Sequence, residues 1–254
     1  AQASTDRAIR LRTRVVPTYE VPKTDAPTPD EIPGLAGLVL DMQELAESTA
    51  ADLIGKLNPL MTAYTDWIAG QTARVIDSTA KLQGYEAIAT DVLAKCTRAS
   101  ERIQAGLDLL QSNSQSFEAF QFMNRAMWQQ RVHSLYAEQK RRGADVELST
   151  IDIAKNRSWR PFQLAFILLN LPSMTDLHHP DRCHETEAIA DLLWFPTGGG
   201  KTEAYLGLTA YTIGLRRLQG VISGRSGESG VAVLMRYTLR LLTLQQFQRA
   251  TALI

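Results

Sequence analysis

A chain of 254 residues that is 44% hydrophobic and 21% charged has ordinary globular composition, which excludes a fibrous or wholly disordered protein. Its 27 basic and 27 acidic residues balance, so a nucleic-acid surface has to be local and not a property of the whole molecule. Two cysteines, Cys96 and Cys183, are too few for a disulfide framework and point to a reducing compartment, expected to be the cytoplasm; no apolar run approaches the ~18 residues of a membrane span, so no membrane partner is expected.

The chain opens on Ala1 without a signal-peptide pattern and ends at Ile254 within an expected helix, so it reads as a piece of a longer polypeptide. Residues 1–33 hold five prolines (Pro17, Pro22, Pro27, Pro29, Pro33) and little periodicity, the pattern of an extended arm or linker. Residues 34–142 turn to helical spacing. Asn58 and Pro59 suit an N-cap and first helical position, ahead of an apolar face of Leu60, Tyr64, Trp67, Ile68 and Val75. Tyr85, Ile88, Val92, Cys96, Ala99, Ile103, Leu107 and Leu110 fall on one stripe of a long amphipathic helix. A further helix from about Ser116 should turn Phe120, Met123, Met127, Val132 and Leu135 inward. Three or four antiparallel helices are expected, with Cys96 a small core residue. Residues 143–159 lose periodicity and read as a connector; from Phe122 to Arg160 there are eight Lys or Arg against four Asp or Glu, a solvated face or a rim able to hold phosphates.

His178, His179, Cys183 and His184 crowd a short segment, but their spacing fits no usual zinc pattern and Pro180 restricts them, so a polar surface loop is the simpler reading. The chemistry concentrates further on. Leu192 to Phe195 is a short apolar run bounded by Pro196, the pattern of a buried strand, and Ala204 to Leu215 has helical spacing. Between them, Gly198, Gly199 and Gly200 permit positive φ and close approach of an anion, so that backbone N–H groups can cradle phosphates at a helix N-terminus. Lys201 would reach the β- and γ-phosphates and the Thr202 hydroxyl would take a place on Mg²⁺. The loop's share of a nucleotide site is expected to comprise Thr197, Gly198, Gly199, Gly200, Lys201, Thr202 and Glu203, with Lys201 and Thr202 catalytic, Thr202 the metal ligand, and ATP with Mg²⁺ the cofactor; the resemblance described next adds Phe162 and Gln163. Gly230 to Met235 reads as a second parallel strand.

Pro196 to Thr202, Pro-Thr-Gly-Gly-Gly-Lys-Thr, departs from the strict P-loop pattern in having Phe195 five residues before Gly200, and resembles the first motif of superfamily 2 helicases and translocases. Arg160-Pro161-Phe162-Gln163 resembles the element that precedes that motif, in which an aromatic ring packs on adenine and a glutamine pairs with its edge; the same residues equally suit a plain helix start. Arg236 to Ala250 resembles the next motif, which implies contacts of Arg236, Thr238, Arg240 and Gln245 with a nucleic-acid backbone, although Tyr237 stands where proline is usual and the glutamine lies one residue late. The longer text from about Phe117 to Ile254 is similar to the large helicase subunit of the bacterial DISARM anti-phage systems. That resemblance implies an ATPase that engages DNA and works with a DrmB-like second subunit.

The expected fold is thus an α-helical module followed, over 160–254, by the start of an α/β RecA-like P-loop domain with parallel strands. After Glu203 the sole acidic residue is Glu228, so the carboxylate pair that would hold Mg²⁺ and polarise water is missing, and these residues are expected to bind nucleotide without hydrolysing it. Two functions compete: part of a DNA-dependent motor, or an ATP-gated interaction module without motor activity.

Overall fold

The computed structural model describes residues 28–195, 199–236 and 247–251. After a single helical turn at Pro33–Leu35, the elements are α1 (Met42–Glu47), α2 (Ala50–Ile76), α3 (Glu86–Ser112), α4 (Ser114–Arg141), α5 (Leu148–Ile151), α6 (Pro161–Thr175), α7 (Pro180–Cys183) and α8 (Lys201–Gln219). A two-residue antiparallel hairpin follows, β1 (Val221–Ile222) with β2 (Arg225–Ser226).

Helix α6 explains why the others sit where they do. Its sequence, PFQLAFILLNLPSMT, is apolar around its circumference, and a helix of that kind has to be covered on several sides. Leu164, Phe166, Ile167, Leu168 and Leu171 are all buried, with α3 against one side and α8 against another. Full burial of each such side chain stabilises by roughly 1.5–3 kcal/mol. Two glycines allow the approach: a Cβ on Gly106 in α3 would lie 2.2 Å from the Leu168 carbonyl oxygen, and one on Gly207 in α8 would lie 2.9 Å from the Trp159 ring and 3.0 Å from the Ile167 side chain. One apolar cluster therefore runs from Leu35 through Phe120, Met123 and Met127 of α4 to Tyr211 and Leu215 of α8.

The stretch between α4 and α6 is fastened by charge. Arg157 donates to both Asp41 carboxylate oxygens and to Asp152, lies 5.5 Å from the Trp128 ring, and is raised in pKa mainly by its bond to Asp41. Beside it, Trp159 donates from its backbone N–H to Leu40 at 2.9 Å, buries its ring, and donates Nε1 to the buried Asn124 at 2.8 Å. Tyr211 meets Thr175 at 2.8 Å, and Thr175 in turn meets Ser116 at 3.4 Å, so these buried hydroxyls satisfy one another.

Three expectations change. Pro59 does not open a helix: α2 begins at Ala50, capped by the Thr49 hydroxyl on Asp52 N, and passes through Pro59. The Gly55 carbonyl deprived of its donor by Pro59 belongs to an exposed residue, where water can serve it. On α3 only Ile103, Leu107 and Leu110 of the stripe are buried. Tyr85, Ile88 and Val92 are more than half exposed, because the first turns of α3 and the last turns of α2 extend beyond the reach of α6.

The third correction concerns fold class. No parallel RecA-like sheet exists among the described residues, whose sole sheet is the two-residue antiparallel hairpin. Residues 192–195 and 230–235 form no ladder with each other or with anything else. Their alternation is present, with Leu193 and Phe195, then Val233 and Met235, half-buried between exposed neighbours. A strand also needs a partner for its N–H and C=O groups, and the bodies beside these segments are helices, whose own backbone groups are already paired.

Gly106→Ala tests the central contact by its sign. An exposed helical Gly→Ala change, such as Gly70→Ala in α2 with open space at its Cβ, should stabilise by about 0.5–1 kcal/mol. Gly106→Ala should instead destabilise by about 1–3 kcal/mol, because the new methyl meets immovable backbone; urea unfolding of both variants checks the opposite signs.

Candidate functional site

Helices α6 and α8 begin side by side, and the glycine loop leads into the second of them. Pro161 occupies the first position of α6, where its missing N–H costs nothing, and Gln163 follows at the third position, 4% exposed. Its amide works at both ends: Oε1 accepts from Arg160 N at 2.7 Å, and Nε2 donates to the Gly200 carbonyl at 2.7 Å. Arg160 adds a bond from Nη1 to the Gly199 carbonyl at 2.8 Å. Both loop carbonyls are thereby drawn toward α6. In a trans peptide the N–H points opposite to the C=O, and there are no cis bonds here, so the N–H groups of Gly200 and Lys201 point away from α6.

Gly200 is the N-cap of α8 at φ 91° and ψ 22°, a left-handed conformation, and offers no side-chain cap to the first turn. A Cβ there would lie 2.6 Å from Gln163 Nε2, so both conformation and space call for glycine. Lys201 donates Nζ to the Phe195 carbonyl. The Phe195 ring stacks on Phe162, centroids 4.2 Å apart and planes 9° from parallel, so one face of Phe162 is already covered by the residue before the loop. Glu203, in the first turn of α8, accepts from Arg249 and lies 4.0 Å from Arg131 Nη1 of α4. Thr202 is half-buried beside them at the start of the helix.

The segment that delivers the loop is anchored upstream. Arg102 of α3 grips Asp191 with two bonds of 2.6 and 2.8 Å, while its Nε lies 2.9 Å from Asp181 as an ion pair without hydrogen-bond alignment. The carboxylate of Asp191, ahead of that of Asp181, raises the Arg102 pKa. An apolar groove of about 570 Å³ lies next to this segment, between Tyr64 and Trp67 of α2, Ile103 of α3, Phe162 and Phe166 of α6, and Trp194.

Of the residues expected to hold nucleotide, Phe162, Gln163, Gly199, Gly200, Lys201, Thr202 and Glu203 gather around the starts of α6 and α8, while Thr197 and Gly198 lie outside the described residues. Of the expected nucleic-acid contacts, Arg236 is exposed beside a pocket of about 380 Å³ formed with Met174, Tyr205 and Leu208. Thr238, Arg240 and Gln245 lie outside the described residues. The histidine segment is held by its own bonds: His179 Nδ1 accepts from Asp181 N, and His184 Nδ1 from Glu187 N at 3.0 Å. No group of three metal-ligating side chains occurs among the described residues. Arg160, Phe195, Arg131 and Arg249 were not singled out from the sequence as site residues. Arg160 carried a signal in its place before Pro161, but the contacts of Arg131 and Arg249 with Glu203 span 72 and 46 residues and leave no local pattern.

No family model matches the chain. It is 39% identical over 257 aligned residues to the DISARM protein DrmA of Bacillus paralicheniformis, an alignment that takes in 99% of this chain. This chain is related to DISARM protein DrmA. It spans 22% of the length of that DrmA, about a fifth. The likeness expected from the glycine loop and its flanks thus extends over essentially all of the chain in hand, including the helices α1 to α4.

Gln163→Ala removes both bonds at once and leaves the Arg160 N–H and the Gly200 carbonyl without their partner. A loss of about 1–3 kcal/mol is expected in urea unfolding. Hydrogen exchange at the Leu206 and Gly207 amides, in the first hydrogen-bonded turns of α8, should rise more than exchange in the middle of α3, which a merely global effect would not produce.

Proposed function

We propose that this chain is the ATP-binding portion of a DNA-dependent superfamily 2 helicase or translocase acting in bacterial anti-phage defence. The observation that carries the nucleotide reading is the pair of carbonyls, Gly199 and Gly200, turned toward α6, which directs the following amides outward at a helix start that has no side-chain cap. Such a start favours anions through the helix dipole and the N–H groups of the first turn. The kinship with a protein called DISARM protein DrmA supports the setting in defence.

The donor set fits a triphosphate with Mg²⁺. The αL glycine lets Gln163 close on the loop from the α6 side, and a lysine and a threonine hydroxyl follow on the next two residues. ATP with Mg²⁺ would supply a transferable phosphoryl group together with the cation that offsets its charge. Gly199, Gly200 and Lys201 would hold the phosphates through backbone amides, Lys201 Nζ would exchange the Phe195 carbonyl for phosphate oxygen, and Thr202 would ligate Mg²⁺. Phe162 and Gln163 would border the base and loop, and Glu203 would stay paired with Arg249. Glu228, exposed in the turn after β2, is poorly placed to activate water. Binding without hydrolysis is therefore the activity proposed for these residues, with turnover belonging to a longer polypeptide. DNA would be met by Arg236, Thr238, Arg240 and Gln245, the working partner would be a DrmB-like subunit, and the compartment the cytoplasm.

A second reading, an ATP-gated interaction module, is favoured by the exposed apolar residues Tyr85, Ile88 and Val92 at the start of α3 and Trp67 on α2. Titration calorimetry of this chain with a non-hydrolysable ATP analogue and Mg²⁺ should show one site, weakened at least about tenfold, or 1.4 kcal/mol, by Lys201→Ala. Absence of binding to folded chain, or equal binding by the variant, would overturn the nucleotide reading. DNA-stimulated hydrolysis by a longer protein, lost in Lys201→Ala, separates the motor from the module.

A further inference from the structure

We infer that the C-terminal half of α4 carries a second binding surface, a basic groove for the phosphodiester backbone of a nucleic acid, outside the residues assigned to DNA above. The inference rests on the nucleic-acid part of that reading and extends it to a different face.

The groove has a volume of about 770 Å³ and lies between α4, the first turn of α8 and residues 247–251. Its cations are Arg131 and Arg141 from α4 and Arg249 from the opposite wall, with His133 beside them; Gln130, Ser134 and Gln248 add uncharged donors. Two carboxylates face the same space, Glu138 and Glu203, and both are already matched. Glu138 accepts from Arg142 at 2.6 Å, and Glu203 is paired with Arg249 and lies 4.0 Å from Arg131. Counting the lining Arg131, Arg141 and Arg249 against Glu138 and Glu203 leaves an excess of one positive charge, three less two, and Arg142 beside the groove pairs with Glu138. Arg141 has no ion pair among the described residues and is exposed in the last turn of α4.

Spacing favours a polyanion over a single small anion. Arg131 and Arg141 are ten residues apart on one helix, about 15 Å along its axis, which corresponds to roughly four phosphates at the rise of one strand of a duplex. A single phosphate cannot meet both. Backbone contacts of this kind position a strand without reading its sequence, and the mixture of guanidinium, amide and hydroxyl donors suits that role. The chain as a whole is neutral, so the groove is a local feature and not an expression of net charge.

Fluorescence anisotropy on the 254-residue chain tests this, using a labelled single-stranded oligonucleotide, a duplex of the same length, and a series of salt concentrations. Arg141→Gln should weaken binding roughly three- to tenfold and lower the slope of log K against log salt by about 0.7 for the single strand or 0.9 for the duplex. Arg131→Gln should do likewise, with circular dichroism to show that loss of its bond to the Asn156 carbonyl leaves the helices intact. Arg74→Gln, the same charge change at the end of α2, should have no effect. Wild-type binding that Arg141→Gln and Arg131→Gln leave unchanged, or that Arg74→Gln weakens equally, overturns the groove and leaves the other DNA contacts standing. No binding of either oligonucleotide by the wild type overturns the groove and the nucleic-acid reading together, while the nucleotide reading is judged separately by calorimetry.

Discussion

The need to bury α6 on several sides governs this molecule. A fifteen-residue helix without a polar stripe has no stable position at a surface, and the molecule accommodates it by bringing α3 and α8 close on different sides through Gly106 and Gly207. A consequence follows for chemistry. Because α6 and α8 pack with their first turns adjacent, Gln163 at the start of one can hold Gly200 at the start of the other. The orientation of Gly199 and Gly200 is therefore set by the same contact that closes the core. A substitution deep in α3, far from Lys201 in sequence, can disturb the loop by moving α6.

How much of this could be read from the chain depends on whether a feature is local. The period of 3.6 residues marks α2, α3, α4 and α8, because amphipathic faces are written along one helix. Pro59 misled because proline is common in the first turn of a helix, and the Thr49 cap that truly starts α2 is a weaker sign ten residues earlier. The α3 stripe is real as a pattern, but how far burial follows it depends on where α6 begins, near Ala99 and Ile103 of α3. The strands at 192–195 and 230–235 fail for a different reason. Alternation records which side chains face inward and says nothing about a neighbour for the backbone, and the neighbours here are helices. Gln163 and Gly200 were each visible as candidates. The bond between them was not, since 37 residues separate the pair.

Charge pairs supply the rest of the positioning and were the least legible. Arg157 joins Asp41 across 116 residues and Arg102 joins Asp191 across 89, each with bidentate geometry at a side chain about 15% exposed. Paired guanidinium and carboxylate groups in such settings add direction more than net stability, since desolvation offsets much of their attraction. Their value is in what they place. Arg157 precedes Trp159 and Arg160 and sets the entry to α6; Arg102 fixes Asp191, four residues before the Phe195 ring that stacks on Phe162. The segment leading to the glycine loop is thus held at its start by an ion pair and at its end by an aromatic stack.

Such anchoring bears on the cost of holding a ligand. A loop that has to be ordered by its ligand subtracts that ordering from the affinity, whereas here Arg160 and Gln163 hold the Gly199 and Gly200 carbonyls within the protein itself. The bond from Lys201 to the Phe195 carbonyl works in the other direction, because an incoming anion has to displace it. A carbonyl is a neutral acceptor and a phosphate oxygen a charged one, and hydrogen bonds between charged partners are about twice as strong. On the nucleotide reading proposed above, Lys201 would favour the phosphate oxygen. Phe195 thus takes part in both contacts, its carbonyl accepting from Lys201 and its ring stacking on Phe162.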